Sequence, residues 1–228
     1  MEGLTGLRWD RMRRIAEERA SALRLSFAQE GRADWIGSVT DLALGSFAAP
    51  GRVCDFDSEP CCGEPSACTG RSGQRYWQAH ADHVAEMMAA MSEVFRGDRS
   101  EWHVTGLVHD ADYVAHPHHV ASIPAEAAHP FALLDALTSA GAPARVQLAV
   151  LEHAAHTGLR PSSTMSAALI LADEHSTMTA FGMSPEYDGR LTVELAEALT
   201  PAPHRVEGYC RGDMEARALM AIERLLQP

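Results

Sequence analysis

The chain has 228 residues, 46% of them apolar and 6% aromatic, which suits one large globular domain or a core with a smaller appendage. Its 31 acidic residues against 19 basic ones give a formal net charge of −12, and every basic residue is arginine. This balance argues against a nucleic-acid polymer as partner, because such polymers are bound by basic surfaces that neutralise phosphates. The lack of lysine also excludes a P-loop lysine and Schiff-base chemistry.

Sequence features also bear on where the protein works. No apolar run approaches the roughly 18 residues that a membrane span requires, so we expect no membrane partner. The stretch Met1–Asp10 lacks the basic-then-apolar pattern of an export signal, and an odd number of cysteines, 5, fits a reducing compartment. These features predict a cytoplasmic protein.

Helical periodicity recurs along most of the chain. Trp9, Met12 and Ile15 begin a pattern typical of an amphipathic helix, with Gly31 as a plausible stop. Strand-like alternation is almost absent, so the sequence predicts an all-α helical bundle. The predicted helices cover residues 8–29, 34–47, 75–96, 100–110, 124–140, 143–157, 163–181, 190–199 and 211–227.

One irregular stretch separates the first helices from the rest, and it suggests a division of the chain. We predict an N-terminal helical extension (1–49), a Cys/Gly/Pro-rich loop (50–74), a core (75–181) and C-terminal helices that complete the bundle (182–228). The loop's cysteines lack the CxxC pairs of common zinc modules, so reduced thiols are the simpler interpretation and structural zinc is the alternative. These cysteines are Cys54, Cys61, Cys62 and Cys68.

Histidine is unevenly distributed, since 11 of the 12 lie between His80 and His175. On a helical wheel His80 lies in the middle of the apolar face formed by Val84, Met87 and Met91, and therefore points inward. A single inward histidine is usually a hydrogen-bonded core residue. The surrounding sequence favours a metal ligand instead.

The segment LVHDADY places His109 and Asp110 directly after an apolar run. Burying a carboxylate without compensation costs several kcal/mol, and a cation would compensate it. Neutral nitrogen together with anionic oxygen suits Fe, Mn, Co, Ni or Zn better than Mg or Ca. An HD dipeptide alone is common, so this segment needs support from elsewhere.

Three more residues supply that support. His129 and His153 each share a predicted helix face with apolar residues, and Asp173 follows the apolar run ALILA. An ionised aspartate at such a position also requires a cation. The sequence thus offers six candidate ligands, His80, His109, Asp110, His129, His153 and Asp173.

The order H…HD…H…H…D resembles the HD-domain superfamily of metal-dependent phosphohydrolases, as do the local contexts HADHVA, GLVHDADY and LADEHS. The similarity covers about residues 75–181 and is nearest to bacterial predicted hydrolases with an HDxDY segment. It implies a helical bundle that holds one or two divalent transition-metal ions. Two histidines between the HD pair and the last aspartate resemble the two-metal branch.

The resemblance implies roles for the candidate ligands. Asp110 would bridge two ions, the first held by His80, His109 and Asp173 and the second by His129 and His153. A metal-activated water would then hydrolyse a small phosphorylated metabolite or nucleotide. The alternatives are a dinuclear-iron oxygenase that cleaves a C–C or C–P bond and a non-catalytic ligand-binding domain. The oxygenase members resemble one another in a Tyr and a Glu ahead of the first histidine, and residues 69–74 contain neither.

Further side chains are candidates for substrate handling. Arg75, and with it Arg71, could bind phosphate through the guanidinium fork, although a solvated surface arginine is the commoner situation. His83 and the group His116, His118 and His119 could donate a proton to a leaving group, or could be loop histidines without a role. The terminal helices fit completion of the bundle or a homodimer interface.

Overall fold

The computed structural model describes residues 2–48, 73–113, 115, 116, 118, 121–183, 185, 187, 190–202 and 214–227, with the side chains of 2–5, 48 and 73–76 excepted. These residues form α-helices joined by turns and two single-turn 3-10 helices, and contain no strand, so the predicted all-α fold is confirmed. The helices are α1 (Glu2–Leu25), α2 (Trp35–Ala48), α3 (Gly73–Phe95), α4 (Arg99–Val108), α5 (Phe131–Ala140), α6 (Ala144–His153), α7 (Thr164–Ala180), α8 (Val193–Ala198) and α9 (Met214–Leu225).

Side-chain caps fix where several helices begin. Asp98 accepts a hydrogen bond from the backbone N–H of Glu101 at the start of α4, and Ser163 accepts one from Ser166 at the start of α7. Each cap satisfies an N–H that has no partner within the helix. Gly141, with φ of 79°, ends α5 in the left-handed region that glycine adopts without strain.

Two of the predicted helices are interrupted in the structure. The stretch 124–140 is not continuous: a 3-10 turn at Ala125–Ala127 is followed by an extended residue, and α5 begins only at Phe131. Pro130 accounts for the break, because proline has no N–H to donate and is tolerated only at the start of a helix. The stretch 143–157 likewise divides at Ala154, whose backbone is extended, so that His156 lies in a separate 3-10 turn.

The central helices α3, α4, α6 and α7 bring the chemically interesting segments together. Helix α3 packs against α4 and α7, α6 packs against α7, and α9 covers α7. On the other side, α1 lies along α6, and α2 lies against α4 and α5. The core between them contains fully buried side chains of Phe131, Leu148 and Ile170.

A glycine allows the closest of these contacts, between α3 and α4. A Cβ on Gly106 would lie 2.8 Å from Cα and 2.9 Å from N of Ala85, and 3.0 Å from the carbonyl carbon of Val84. All three are backbone atoms of α3, so neither helix can yield by turning a side chain. Gly106 therefore sets the distance between α3, which carries His80, and α4, which ends directly before His109.

Some predictions concern parts of the chain outside the described residues, namely Cys54, Cys61, Cys62, Cys68, Arg71 and His119. Among the helices that are described, none is both long and apolar enough to cross a bilayer.

Candidate metal centre

The six candidate ligands come from five places in the bundle and meet in its interior. His80 is in the middle of α3, His109 and Asp110 directly follow α4, and His153 is the last residue of α6. Asp173 is on α7, and His129 precedes α5. The five residues other than Asp173 are buried, and the Asp173 side chain is 17% exposed.

The first half-site consists of His80, His109, Asp110 and Asp173, whose ligand atoms all lie within 4.8 Å of one another. Nε2 of His80 is 3.2 Å from Oδ1 of Asp173 and 3.9 Å from Oδ2 of Asp110. Nε2 of His109 is 3.4 Å from Oδ2 of Asp110 and 3.8 Å from Oδ1 of Asp173. Both imidazoles thus face the same two carboxylate oxygens.

The second half-site consists of Asp110, His129 and His153. Here the other oxygen of the shared carboxylate is used: Oδ1 of Asp110 is 3.4 Å from Nε2 of His129 and 3.3 Å from Nε2 of His153. One carboxylate therefore presents one oxygen to each half-site, which is the arrangement a bridging ligand needs.

These spacings fit ligands around an ion. With metal–ligand bonds of about 2.0–2.2 Å, two atoms on one ion lie about 3.0–4.2 Å apart, depending on the angle between them. The distances of 3.2 to 3.9 Å in the first half-site fall in this range. Moreover, the buried Nε2 of His109 makes no hydrogen bond within the described part of the chain, a costly omission that an ion would remove.

The four histidines of the cluster are oriented in the same way. Each has Nδ1 within hydrogen-bonding distance of an oxygen: the Ser176 hydroxyl for His80 (3.0 Å), the Gly106 carbonyl for His109 (2.7 Å), Asp112 for His129 (2.6 Å) and the Val150 carbonyl for His153 (2.5 Å). An Nδ1–H that donates to oxygen leaves Nε2 with its lone pair, and this tautomer binds metals. All four Nε2 atoms face the carboxylates.

Electrostatics keep the carboxylates ionised. Burial raises the pKa of Asp110, but His109, with help from His153 and His129, outweighs it and holds that pKa well below the usual carboxyl range. Burial also raises the pKa of Asp173, while the nearby imidazoles of His109 and His80 lower it, and their effect prevails. Two anionic carboxylates in the protein interior form a site that favours cations.

Burial and the neighbouring carboxylates shift the pKa values of the imidazoles in different directions. Burial lowers the pKa of His109 and of His129, but neighbouring carboxylates outweigh it and raise both. For His153 burial prevails, so its pKa is lowered despite Asp110. The neutral form of His153 is the form that binds a metal.

The candidates for substrate handling lie around this cluster. His83 is buried and has partners at both nitrogens, Ser176 Oγ at 2.9 Å from Nδ1 and Thr200 Oγ1 at 3.2 Å from Nε2. It thus shares the Ser176 hydroxyl with Nδ1 of His80. Its role as a proton donor stays a prediction, and for Arg75, in α3, the side chain lies outside what the structure describes.

His118 lies near the second half-site. Its ring stacks on that of His156, with centroids 4.1 Å apart, and also contacts Tyr113, whose ring lies 5.2 Å from that of His129. His156 itself approaches the His129 carbonyl with Nε2 at 2.8 Å. It thus supports a candidate ligand.

Sequence reasoning missed three residues near the site. Asp112 and Ser176 hold ligand histidines, and Arg8 of α1 donates to the His118 and Ile123 carbonyls. The second acidic residue of LVHDADY was a usable signal for Asp112. No local signal marked Arg8, because its partners lie more than 100 residues away in sequence.

Fold and site together define an all-α protein with a buried His/Asp cluster that could bind metal. Comparison with known proteins does not narrow this class: no family model, no curated protein and no solved structure matches the chain.

Proposed function

We propose that this protein is a metal-dependent phosphohydrolase of the HD type, acting on a small phosphorylated metabolite or nucleotide. One observation carries the proposal: four histidines present Nε2 to the two oxygens of a single buried aspartate, Asp110, with Asp173 completing one side. The residues that meet here are those of the ordered set H…HD…H…H…D, on which the HD resemblance rests.

Each half-site would hold one divalent transition metal, with Asp110 shared. When bound, the ions would activate a water nucleophile and neutralise charge on a phosphoryl oxygen in the in-line transition state. The histidine and carboxylate donors favour Fe, Mn, Co, Ni or Zn.

The residues of the chain itself supply position and environment. The hydrogen bonds at Nδ1 fix the ligand rings in place, so little reorganisation accompanies binding. Because Asp173 is the most exposed of the six candidate ligands, substrate would approach from its side. His118 is the candidate to protonate a leaving group and Arg75 the candidate to bind phosphate.

The location and partners that we propose rest on the sequence. We place the protein in the cytoplasm, with a small molecule as its substrate and a second copy of the chain as a possible partner. The negative net charge is compatible with a compact phosphorylated substrate that binds through metal and arginine, because such binding needs no extended basic surface.

The test compares Asp110→Asn with His103→Ala. His103 is a partly exposed histidine of α4, 3.5 Å from Glu86 and outside the cluster. We expect the wild type and His103→Ala to copurify with metal and to release phosphate from a panel of phosphomonoesters and nucleotides. Asp110→Asn should lose the metal and lower phosphate release at least 100-fold, with its circular dichroism spectrum unchanged, since a bridging carboxylate serves both ions.

Four results would overturn the proposal. Metal-free wild-type protein that takes up no Mn²⁺, Fe²⁺ or Co²⁺ would refute the metal centre. Equal loss of metal in both variants would refute the ligand assignment. Bound iron with substrate-dependent O₂ uptake and no phosphate release would favour the oxygenase alternative, and bound ligand without turnover would favour the binding domain.

A further inference from the structure

The two half-sites differ in how their histidines are held. His80, His109 and His153 direct Nδ1 to neutral oxygens, a hydroxyl and two backbone carbonyls. His129 alone among the four directs Nδ1 to a carboxylate, that of Asp112, at 2.6 Å. A hydrogen bond to an ionised acceptor is roughly twice as strong as one to a neutral acceptor.

His129 needs this partner because of where it lies. His109 and His153 are at helix ends, and each uses the carbonyl three residues earlier, which the helix geometry supplies. His129 precedes α5, after an extended residue, and within the described residues the acceptor at its Nδ1 is the Asp112 carboxylate, not a helix carbonyl. Its backbone is held instead, by the His116 carbonyl and by His156.

Asp112 also connects two elements of the fold. Oδ1 accepts from His129, while Oδ2 accepts a hydrogen bond from the backbone N–H of Leu133, at 3.1 Å, in the first turn of α5. The carboxylate is 8% exposed. It therefore fixes the start of α5 and the imidazole of His129 relative to Asp110, two residues before it in the chain.

We infer that Asp112 is a positioning residue for the second half-site, and that it decides whether that half-site retains its ion. The inference rests on the proposed function, since it presumes that both half-sites bind metal. Asp112 keeps Nε2 of His129 directed at Oδ1 of Asp110 and adds negative charge behind the imidazole. Both effects strengthen His129 as a ligand.

Within the part of the chain that the structure describes, the side-chain partners of Asp112 are His129 and the Leu133 N–H, and neither belongs to the first half-site. Its histidines are oriented by Ser176 and by the Gly106 carbonyl, on α7 and α4. Loss of Asp112 should therefore affect the two half-sites differently. The first half-site should retain its ion, whereas the metal affinity of the second should fall about 10–100-fold, the usual effect of removing such a partner.

The experiment is a titration of metal-free protein with Mn²⁺, with bound metal counted by elemental analysis and affinities measured by calorimetry. Asp112→Asn removes the charge and keeps the shape, and Asp98→Asn makes the same change at the other end of α4, where Asp98 only caps the helix. We expect two ions bound to the wild type and to Asp98→Asn. Asp112→Asn should bind one ion with unchanged affinity and the other 10–100-fold more weakly.

A second variant separates positioning from general stability. His129→Ala should show the same selective loss, and the double variant Asp112→Asn/His129→Ala should be no worse than His129→Ala, because Asp112 acts through His129. Should Asp112→Asn fail to fold, Asp112→Ser gives the same readout with a smaller neutral side chain.

The outcomes distinguish this inference from the proposed function. Two ions retained by Asp112→Asn with unchanged affinities, or both ions weakened equally, would overturn the positioning role and leave the metal centre standing. A wild type that binds no Mn²⁺, Fe²⁺ or Co²⁺ would overturn the proposed function and the positioning role together.

Discussion

The contact between α3 and α4 leaves no room for a methyl group at Gly106. In Gly106→Ala the added Cβ would lie 2.8–3.0 Å from backbone atoms of Ala85 and Val84, well inside ordinary van der Waals separation. The helices must therefore move apart. Because the Gly106 carbonyl also accepts the hydrogen bond from Nδ1 of His109, this movement displaces a candidate ligand.

The size of the effect follows from two opposing terms. Overpacking costs about 1–3 kcal/mol, and a clash with backbone atoms belongs at the upper end of that range. Alanine in place of glycine within a helix stabilises the fold by about 1 kcal/mol. We therefore expect the free energy of unfolding to fall by about 2 kcal/mol in total. For a chain of this length, that loss lowers the melting temperature by about 4–8 °C.

Thermal unfolding of the metal-free protein measures this loss, and metal content measures the effect on the site. Gly45→Ala is the matched control, because Gly45 is also within a helix, α2, and a Cβ there meets nothing within 4 Å. That variant should be stabilised by about 0.5–1 kcal/mol. If Gly106→Ala is stabilised to the same extent and binds metal normally, our description of the α3–α4 contact is wrong.

Two further predictions concern metal binding and the ion pair between the partly exposed Arg24 and the buried Glu152. At metal concentrations 1,000 times the dissociation constant, binding should stabilise the fold by about 4 kcal/mol, or about 8–16 °C in melting temperature; identical melts with EDTA and with Mn²⁺ would contradict this. Arg24→Ala should cost about 1–3 kcal/mol in urea unfolding, because, of its donors among the described residues, the fully buried Glu152 carboxylate would keep only the Ser162 N–H. Arg14→Ala, an exposed control, should change stability by less than about 0.5 kcal/mol, and equal losses in both would refute the ion-pair argument.

Periodicity predicted most of the helices because their apolar faces repeat at helical spacing in the sequence itself. The same reasoning placed His80 on the buried side of α3, where the structure has it. It failed at Pro130, where the apolar pattern continues across residue 129 although the backbone cannot continue as a helix. His129 still points inward, but from a turn and not from the helix that was predicted.

Partners distant in sequence were beyond prediction. His83 lies at the edge of the apolar face on a helical wheel, and nothing local indicates that its imidazole meets Ser176 and Thr200, 93 and 117 residues further on. Which side chain satisfies a buried imidazole depends on how helices pack, and one sequence does not specify that packing. The candidate ligands could be listed from the sequence, but the pairing of His80 with the Ser176 hydroxyl could not.

Arg8 gives the first helix an unexpected part in this architecture. From α1 it reaches the carbonyls of His118 and Ile123, while its neighbour Trp9 contacts the rings of both His118 and His156. A shortened protein that starts at residue 75, where the HD resemblance begins, would lose these contacts of α1 with the segment beside the second half-site. Expression of that fragment alone would thus remove residues that support the surroundings of the His/Asp cluster, so the smallest useful unit for biochemical work includes α1.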